Sequence, residues 1–261
     1  LNLSTTQMIK LFITDLDGCL TKPFHSPDWD LLSEIRALNK QSKSNEFVPP
    51  LSICSGRPLP YVEAVAQWLD VDIPVVFESA GVYLLSTNAP FFAAVFDEEA
   101  EQEVQDLKAW LQSEVIPRQE GMVLEFTKRM DAGLIHTEKA VIDDVYPFVN
   151  EYVEEHYPLF EVHKTDVSIN IILKENNKER GIQMLCDRLE VDPSEVAYIG
   201  DSSGDIPGLK LVGYPFAPSN AADSVKEVAE VIDLPETEAV LEVYNRIIRM
   251  NEQKRAAGGI G

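Results

Sequence analysis

Ile9-Lys-Leu-Phe-Ile-Thr-Asp15-Leu-Asp17-Gly18 is a short β-rich apolar run that stops abruptly on two carboxylates. A run of this kind, apolar at consecutive positions, predicts a buried strand rather than a half-exposed one. Downstream, Leu31, Leu32, Ile35 and Leu38 recur at helical spacing behind Asp28, a residue suited to cap a helix N-terminus. Pro49–Cys54 is a second buried strand ending at Ser55-Gly56, Pro60–Leu69 a helix, and Val75-Val76-Phe77 a third strand. Strands alternating with helices predict an α/β protein with a doubly wound parallel sheet.

The pattern changes after Gly81. Strands are expected at Val82–Leu85 and Phe91–Phe96 around an Asn88-Ala-Pro turn, then at Met122–Lys128, Phe160–His163 and Ser168–Leu173. Helices are expected over Glu98–Glu114 and Ile142–His156. Two helices among antiparallel-looking strands describe a compact α+β insert. Alternation resumes at Lys178, with a helix to Leu189, a strand Val196–Ile199, a loop Gly200–Asp205, and helices over Ala221–Glu230 and Thr237–Met250. The expected organisation is a core over 1–83 and 173–250, an inserted cap over 84–172, and a frayed Gly-rich tail over 251–261.

Composition narrows the function. The 261 residues are 45% hydrophobic, enough for a real core. No apolar run approaches the roughly 18 residues that span a bilayer. The start, Leu1–Lys10, lacks the charged flank and apolar block of a secretory signal, so a cytoplasmic location is expected. Three cysteines without a CxxC pattern point to reduced thiols. A net charge of -22 repels nucleic acid and anionic membranes, and both are excluded as partners. An anionic substrate would then need a local positive site.

Ligands of open α/β sheets bind beyond the carboxyl ends of the strands. Here those ends carry Asp15 and Asp17, Ser55, and Asp201 with Asp205. If the chain stays extended after the first strand, Asp15 and Asp17 point the same way. One could attack phosphorus while the other serves as acid and base; taken alone, the pair could equally cap a turn. Gly200-Asp-Ser-Ser-Gly-Asp205 offers hard oxygen donors suited to Mg2+. It superficially resembles the opening of a calcium loop, but Val212 stands where that loop needs glutamate. Ser55-Gly56-Arg57 could cradle a phosphate through the hydroxyl and the amides of a following helix. Lys178, behind Asn176-Asn177, could present an ammonium to the same anion.

In this order and at these spacings the motifs resemble those of the haloacid dehalogenase superfamily of phosphatases, specifically the Cof-type branch with an α+β cap of the C2B type. Asp15-Leu-Asp17-Gly18, Ile53-Cys-Ser55-Gly-Arg57, Lys178 and Tyr198-Ile-Gly-Asp201-Ser-Ser-Gly-Asp205 match its four motifs. Glu78-Ser-Ala-Gly81 resembles the family's segment leading into the cap, and Ala217-Pro-Ser-Asn220 a segment after the fourth motif. The resemblance implies a Rossmann-like core and Mg2+-dependent hydrolysis of a small-molecule phosphate ester. Asp15 would be the nucleophile and Asp17 the general acid and base. Ser55, Gly56 and Lys178 would bind the phosphoryl group. Asp15, Asp201 and the carbonyl of Asp17 would hold Mg2+, with Asp205 supporting the site. Cys19, Glu179 and Gly204 depart from the family's usual threonine, glycine and asparagine.

In the cap, Arg129 and His136 belong to the most cationic stretch and are candidates for substrate specificity, against the simpler view that they solubilise a strand edge. A phosphomutase and a non-catalytic phosphate-binding protein on the same fold are the competing functions. The intact Asp15, Asp17, Lys178 and Asp201 weigh against the latter. A monomer or homodimer is expected.

Overall fold

The computed structural model describes residues 8–258 apart from 24, 94 and 166. The core begins with β1 (Leu11–Thr14), α1 (Trp29–Gln41), β2 (Leu51–Ile53), α2 (Leu59–Trp68) and β3 (Val75–Phe77). A hairpin of β4 (Gly81–Leu84) and β5 (Ala89–Phe91) leads to α3 (Glu98–Trp110). The cap continues with β6 (Val123–Leu124), β7 (Ala132–Ile135), α4 (Lys139–His156), β8 (Phe160–Lys164) and β9 (Ser168–Leu173). The chain re-enters the core at α5 (Lys178–Leu189) and β10 (Val196–Ile199), followed by α6 (Ile206–Leu211) and β11 (Tyr214–Ala217). It finishes with α7 (Asp223–Lys226), β12 (Glu230–Val231) and α8 (Glu236–Gly258).

The core sheet runs β12-β11-β10-β1-β2, all parallel. A single parallel bridge, Cys54 to Val76, sets β3 beside β2. Because the chain winds from β1 toward β2 in one direction and from β10 toward β12 in the other, the sheet's switch point lies between β1 and β10. Burial explains the winding. All four residues of β1 are fully buried, with Phe12 packed toward Tyr244 of α8 and Leu11 and Ile13 packed on the opposite face with Ile182 and Leu185 of α5. Each such side chain stabilises the fold by about 1.5–3 kcal/mol relative to exposure, so a strand without a polar face needs helices on both sides.

The cap sheet, β6-β7-β9-β8, is antiparallel. Its middle strand alternates: Ile169, Ile171 and Leu173 are buried, while Ser168, Asn170 and Ile172 are partly open. Helices α3 and α4 bury Val104, Leu107, Ile142, Val149 and Val153 in the same apolar cluster. This is the period-2 pattern of a sheet with one covered face.

Several boundaries differ from expectation. The strand expected over Phe91–Phe96 lies earlier, at Ala89–Phe91, because Ala89 and Pro90 pair with β4 instead of forming the turn. The strand expected over 122–128 pairs only at Val123–Leu124, and its partner β7 begins after the turn that follows. The helix expected over 221–230 is only Asp223–Lys226, because Glu230–Val231 joins the sheet edge. Helix α8 does not fray at residue 251. Asn251 is fully buried, accepting from Ile9 N at 2.8 Å and donating to Ile9 O at 2.9 Å and Phe47 O at 3.0 Å. The remainder of that expected tail, residues 259–261, lies outside the described residues, as does the chain start through residue 7.

Candidate active site

The β1–β10 switch point is where the acidic motifs meet. Asp15 N–H donates to Ile199 O at 3.0 Å, extending the ladder by one residue and aligning the tips of β1 and β10. Cys54 N–H donates to Thr14 O at 2.9 Å, which brings Ser55 to the same edge from β2. Lys178 arrives on the first turn of α5, capped by the Asn177 side chain accepting from Arg180 N. Sequence separations of up to 190 residues thus collapse onto one sheet edge.

Lys178 is the hub. Its Nζ lies 2.9 Å from Asp15 Oδ1 and 2.5 Å from Asp205 Oδ1, with all three side chains nearly excluded from water. Burial alone would lower the Lys178 ammonium, but Asp15 and Asp205 outweigh it and hold the group well above its ordinary value. Burial raises the Asp15 carboxyl well above the usual carboxylate range; Lys178 opposes that rise, and Asp205 and Asp201 add to it. Asp201 is pushed up to about 7, first by burial and then by Asp205. Carboxylates this crowded call for more positive charge than one lysine supplies.

A divalent cation fits that deficit. Asp15, Cys19 and Asp201 each present a donor atom, all within 4.8 Å of one another, and Asp201 Oδ1 is buried with no hydrogen-bond partner. Oxygen donors of this kind suit a hard cation. Burial, Asp201 and Asp15 push the Cys19 thiol well above its ordinary range, which keeps it protonated and a poor ligand beside the two carboxylates. Gly18 makes the approach possible. It has φ +81°, and a Cβ there would lie 2.1 Å from Asp201 Oδ2.

Asp205 braces the loop around Asp201. Its Oδ1 accepts from Lys178 and the Tyr198 hydroxyl. Its Oδ2 accepts from Asp201 N at 3.1 Å, Ser202 N at 2.8 Å and Ser202 Oγ at 2.8 Å. Both oxygens are engaged, so Asp205 shapes the loop that presents Asp201 and is not itself placed as a direct metal ligand.

The extended backbone ends at Thr14, so strand geometry does not set how Asp17 lies relative to Asp15. The chain folds back through Thr21 N–H to Leu16 O at 2.8 Å and Gly18 N–H to Thr21 O at 2.8 Å. Asp15 is buried, whereas Asp17 keeps 29% of its side chain exposed and meets Arg57 in a two-pronged pair, Nε–Oδ2 at 2.5 Å and Nη2–Oδ1 at 3.0 Å. This clamp is the functional contact that reading the sequence missed. The motif around Arg57 is visible, but nothing in a 40-residue separation shows that its guanidinium reaches Asp17 rather than a phosphate.

Ser55 is buried, and its Oγ accepts from Arg57 N at 3.2 Å. Gly56 follows it with its Cα side open, the nearest atom to an added Cβ being Ser79 Oγ at 3.6 Å. The two cap candidates are engaged elsewhere. Arg129 pairs with Glu101 at 2.7 and 2.9 Å and lies over the Phe92 ring. His136 is buried, with Nδ1 accepting from Glu138 N at 3.0 Å and Nε2 directed at Glu120 O at 3.1 Å. Neither side chain is offered to a ligand in this arrangement.

No helix among the described residues is long and apolar enough to cross a membrane. A profile of haloacid dehalogenase-like hydrolases matches residues 125–243. A phosphoglycolate phosphatase of Methanopyrus kandleri is 29% identical over 228 residues, covering 86% of this chain and 90% of that protein. Among solved structures, a Thermoplasma acidophilum protein superposes with a TM-score of 0.74 at 20% identity, covering 92% of this chain and 99% of its own. A haloacid dehalogenase-like hydrolase from Bacteroides thetaiotaomicron gives 0.70 at 16% identity, with 91% and 99% covered.

Proposed function

We propose that this chain, which is similar to haloacid dehalogenase-like hydrolases, is a magnesium-dependent phosphatase acting on a small phosphate monoester through an aspartyl-phosphate on Asp15. The observation that carries this reading is the buried ammonium of Lys178 between Asp15 and Asp205, with Asp201 alongside. A binding protein needs cations around a phosphate, not a buried carboxylate aimed at it.

In the first step a carboxylate oxygen of Asp15 attacks phosphorus and the bond to the ester oxygen breaks. Asp17 gives its proton to that leaving oxygen. In the second step Asp17 takes a proton from water, which attacks the aspartyl-phosphate and releases inorganic phosphate. Arg57 grips both oxygens of Asp17 and so fixes its direction, a two-pronged geometry that a lysine cannot reproduce. Lys178 faces the phosphoryl oxygens and relieves their repulsion from Asp15, with the Ser55 hydroxyl and the backbone at Gly56 supplying further donors. Asp15, Asp201 and the Asp17 carbonyl would hold magnesium, whose positive charge would offset that of the carboxylates and the phosphoryl group. Asp205 keeps Asp201 in place. Positioned charge does most of the work in phosphoryl transfer, and the overall charge of -22 makes these few local cations decisive.

The curated relatives named phosphoglycolate phosphatase support a small, doubly anionic ester, of the phosphoglycolate or sugar-phosphate type, as substrate. Phosphate release from phosphoglycolate and a panel of sugar phosphates tests this. Turnover is expected with magnesium, none in excess chelator, recovery on adding magnesium back, and none for Asp15→Asn with its fold retained. Activity surviving either the chelator or Asp15→Asn overturns the mechanism.

A further inference from the structure

The turn at Glu78-Ser79-Ala80, where the chain leaves the core for the cap, has a geometry that its place as a connector does not require. Glu78 and Ser79 both adopt left-handed backbone, with φ +44° and +68°. Two consecutive non-glycine residues in that region cost about 1–3 kcal/mol each and persist only where their surroundings enforce it. Here the surroundings do. Glu78 N–H donates to Arg57 O at 3.0 Å and Ser79 N–H to Ser55 O at 2.9 Å. Gly181 of α5 packs so tightly on the turn that a Cβ would lie 2.4 Å from Ser79 O. The turn therefore touches the Ser55–Arg57 motif and the helix that carries Lys178.

The Glu78 side chain reaches the third party, the cap. It is buried, at 1% exposure, and its carboxylate accepts from Arg129 N at 3.0 and 2.9 Å and from Met130 N at 2.5 Å. Asn176, on the returning crossing, approaches both sides of the same junction, with Nδ2 at 3.5 Å from Glu78 O and 3.9 Å from Met130 Sδ.

We propose that Glu78 is a positioning residue: its carboxylate latches the cap segment around Arg129 and Met130 to the core, which steadies the turn whose N–H holds the Arg57 carbonyl, so that Arg57 keeps Asp17 in place. This rests on the phosphatase reading for its catalytic consequence and on the observed hydrogen bonds for the latch. Glu78 touches neither substrate nor phosphorus. Its loss acts first through the Arg57 backbone and Asp17, so the proton-transfer step suffers more than phosphate binding.

The test uses the full chain with Glu78→Ala and Glu78→Gln, read by amide hydrogen exchange and by phosphate release. Glu78→Ala is expected to speed exchange at Arg129 and Met130 by roughly tenfold or more, since it removes the carboxylate that accepts from both amides. Exchange in β1 and β10 should stay unchanged. The same variant should lower kcat by roughly tenfold or more with KM changed by less than about threefold. Glu78→Gln keeps one acceptor oxygen and should lie between wild type and alanine in both readouts; if the alanine variant fails to fold, glutamine decides alone. Unchanged exchange at Arg129 and Met130 overturns the latch, and faster exchange with unchanged kcat overturns the positioning role. A wild-type protein that hydrolyses no ester would instead strike the phosphatase reading, and the exchange result would still judge the latch.

Discussion

Replacing Lys178 with methionine removes the one ammonium between Asp15 and Asp205 while nearly preserving side-chain volume. The side chains of Lys178 and Asp15 are each 7% exposed and that of Asp205 is 0% exposed, so water cannot take over the lost interactions. Taking one partner from a buried ionic group costs about 3–5 kcal/mol, because the charges left behind stay desolvated. At about 2–4 °C per kcal/mol for a chain of this size, the melting temperature should fall by about 6–20 °C. Two further consequences separate this from an ordinary packing defect. Acid should restore part of the loss, since protonating Asp15 removes one uncompensated charge. Phosphate release should vanish at every pH at which the variant is folded. Thermal unfolding followed by circular dichroism between about pH 5 and 8, with parallel phosphate-release assays, reads both. A variant melting within about 2 °C of wild type would refute the assignment of Lys178 as the charge that holds the two carboxylates together.

Two other perturbations probe the site from different sides. Gly18→Ala forces a left-handed side chain against Asp201, costing about 1–2 kcal/mol for the backbone and about 1–3 kcal/mol for the overlap; denaturant unfolding should show that modest loss, while affinity for magnesium measured by calorimetry should fall far more. The Glu78 carboxyl, pushed up to about 7 by burial and by Asp131, takes up a proton when the chain folds. Its contribution to stability is full below the unfolded value near 4.5 and is lost as pH rises through about 7, so the melting temperature should decline across that window, and Glu78→Gln should flatten the decline.

The core was legible because its signals are local. A strand such as β1, apolar at three consecutive positions, is read as buried on both faces, and its end on Asp15 marks the edge where the acidic motifs meet before any pairing is known. Lys178 and Asp201 were legible for the same reason, each opening or closing an element whose type the sequence states. What escaped was whatever depends on a partner. Strand β7 is Ala132-Gly-Leu-Ile135, too short and too weakly alternating to declare itself, and it exists because β9 pairs with it along four residues. The persistence of α8 past residue 250 depends on Asn251 bonding to β1 and to the segment before β2, contacts that polar, glycine-rich composition conceals. Asp17 is visible in the motif but its pairing with Arg57 is not, because the turn after Thr14 breaks the strand geometry that the sequence suggests. The Arg57 clamp and the Glu78 latch are side-chain destinations, which spacing along a chain does not encode.

The two crossings between core and cap lie side by side: Asn176, two residues before Lys178, touches the carbonyl of Glu78. An insert whose ends meet in this way is attached like a pendant on a single clasp. On the phosphatase reading proposed above, a change within such an insert is expected to leave the strands that carry Asp15 and Asp201 in place, so that the choice of ester varies separately from the chemistry. Only the clasp itself, shared by both, must stay as it is.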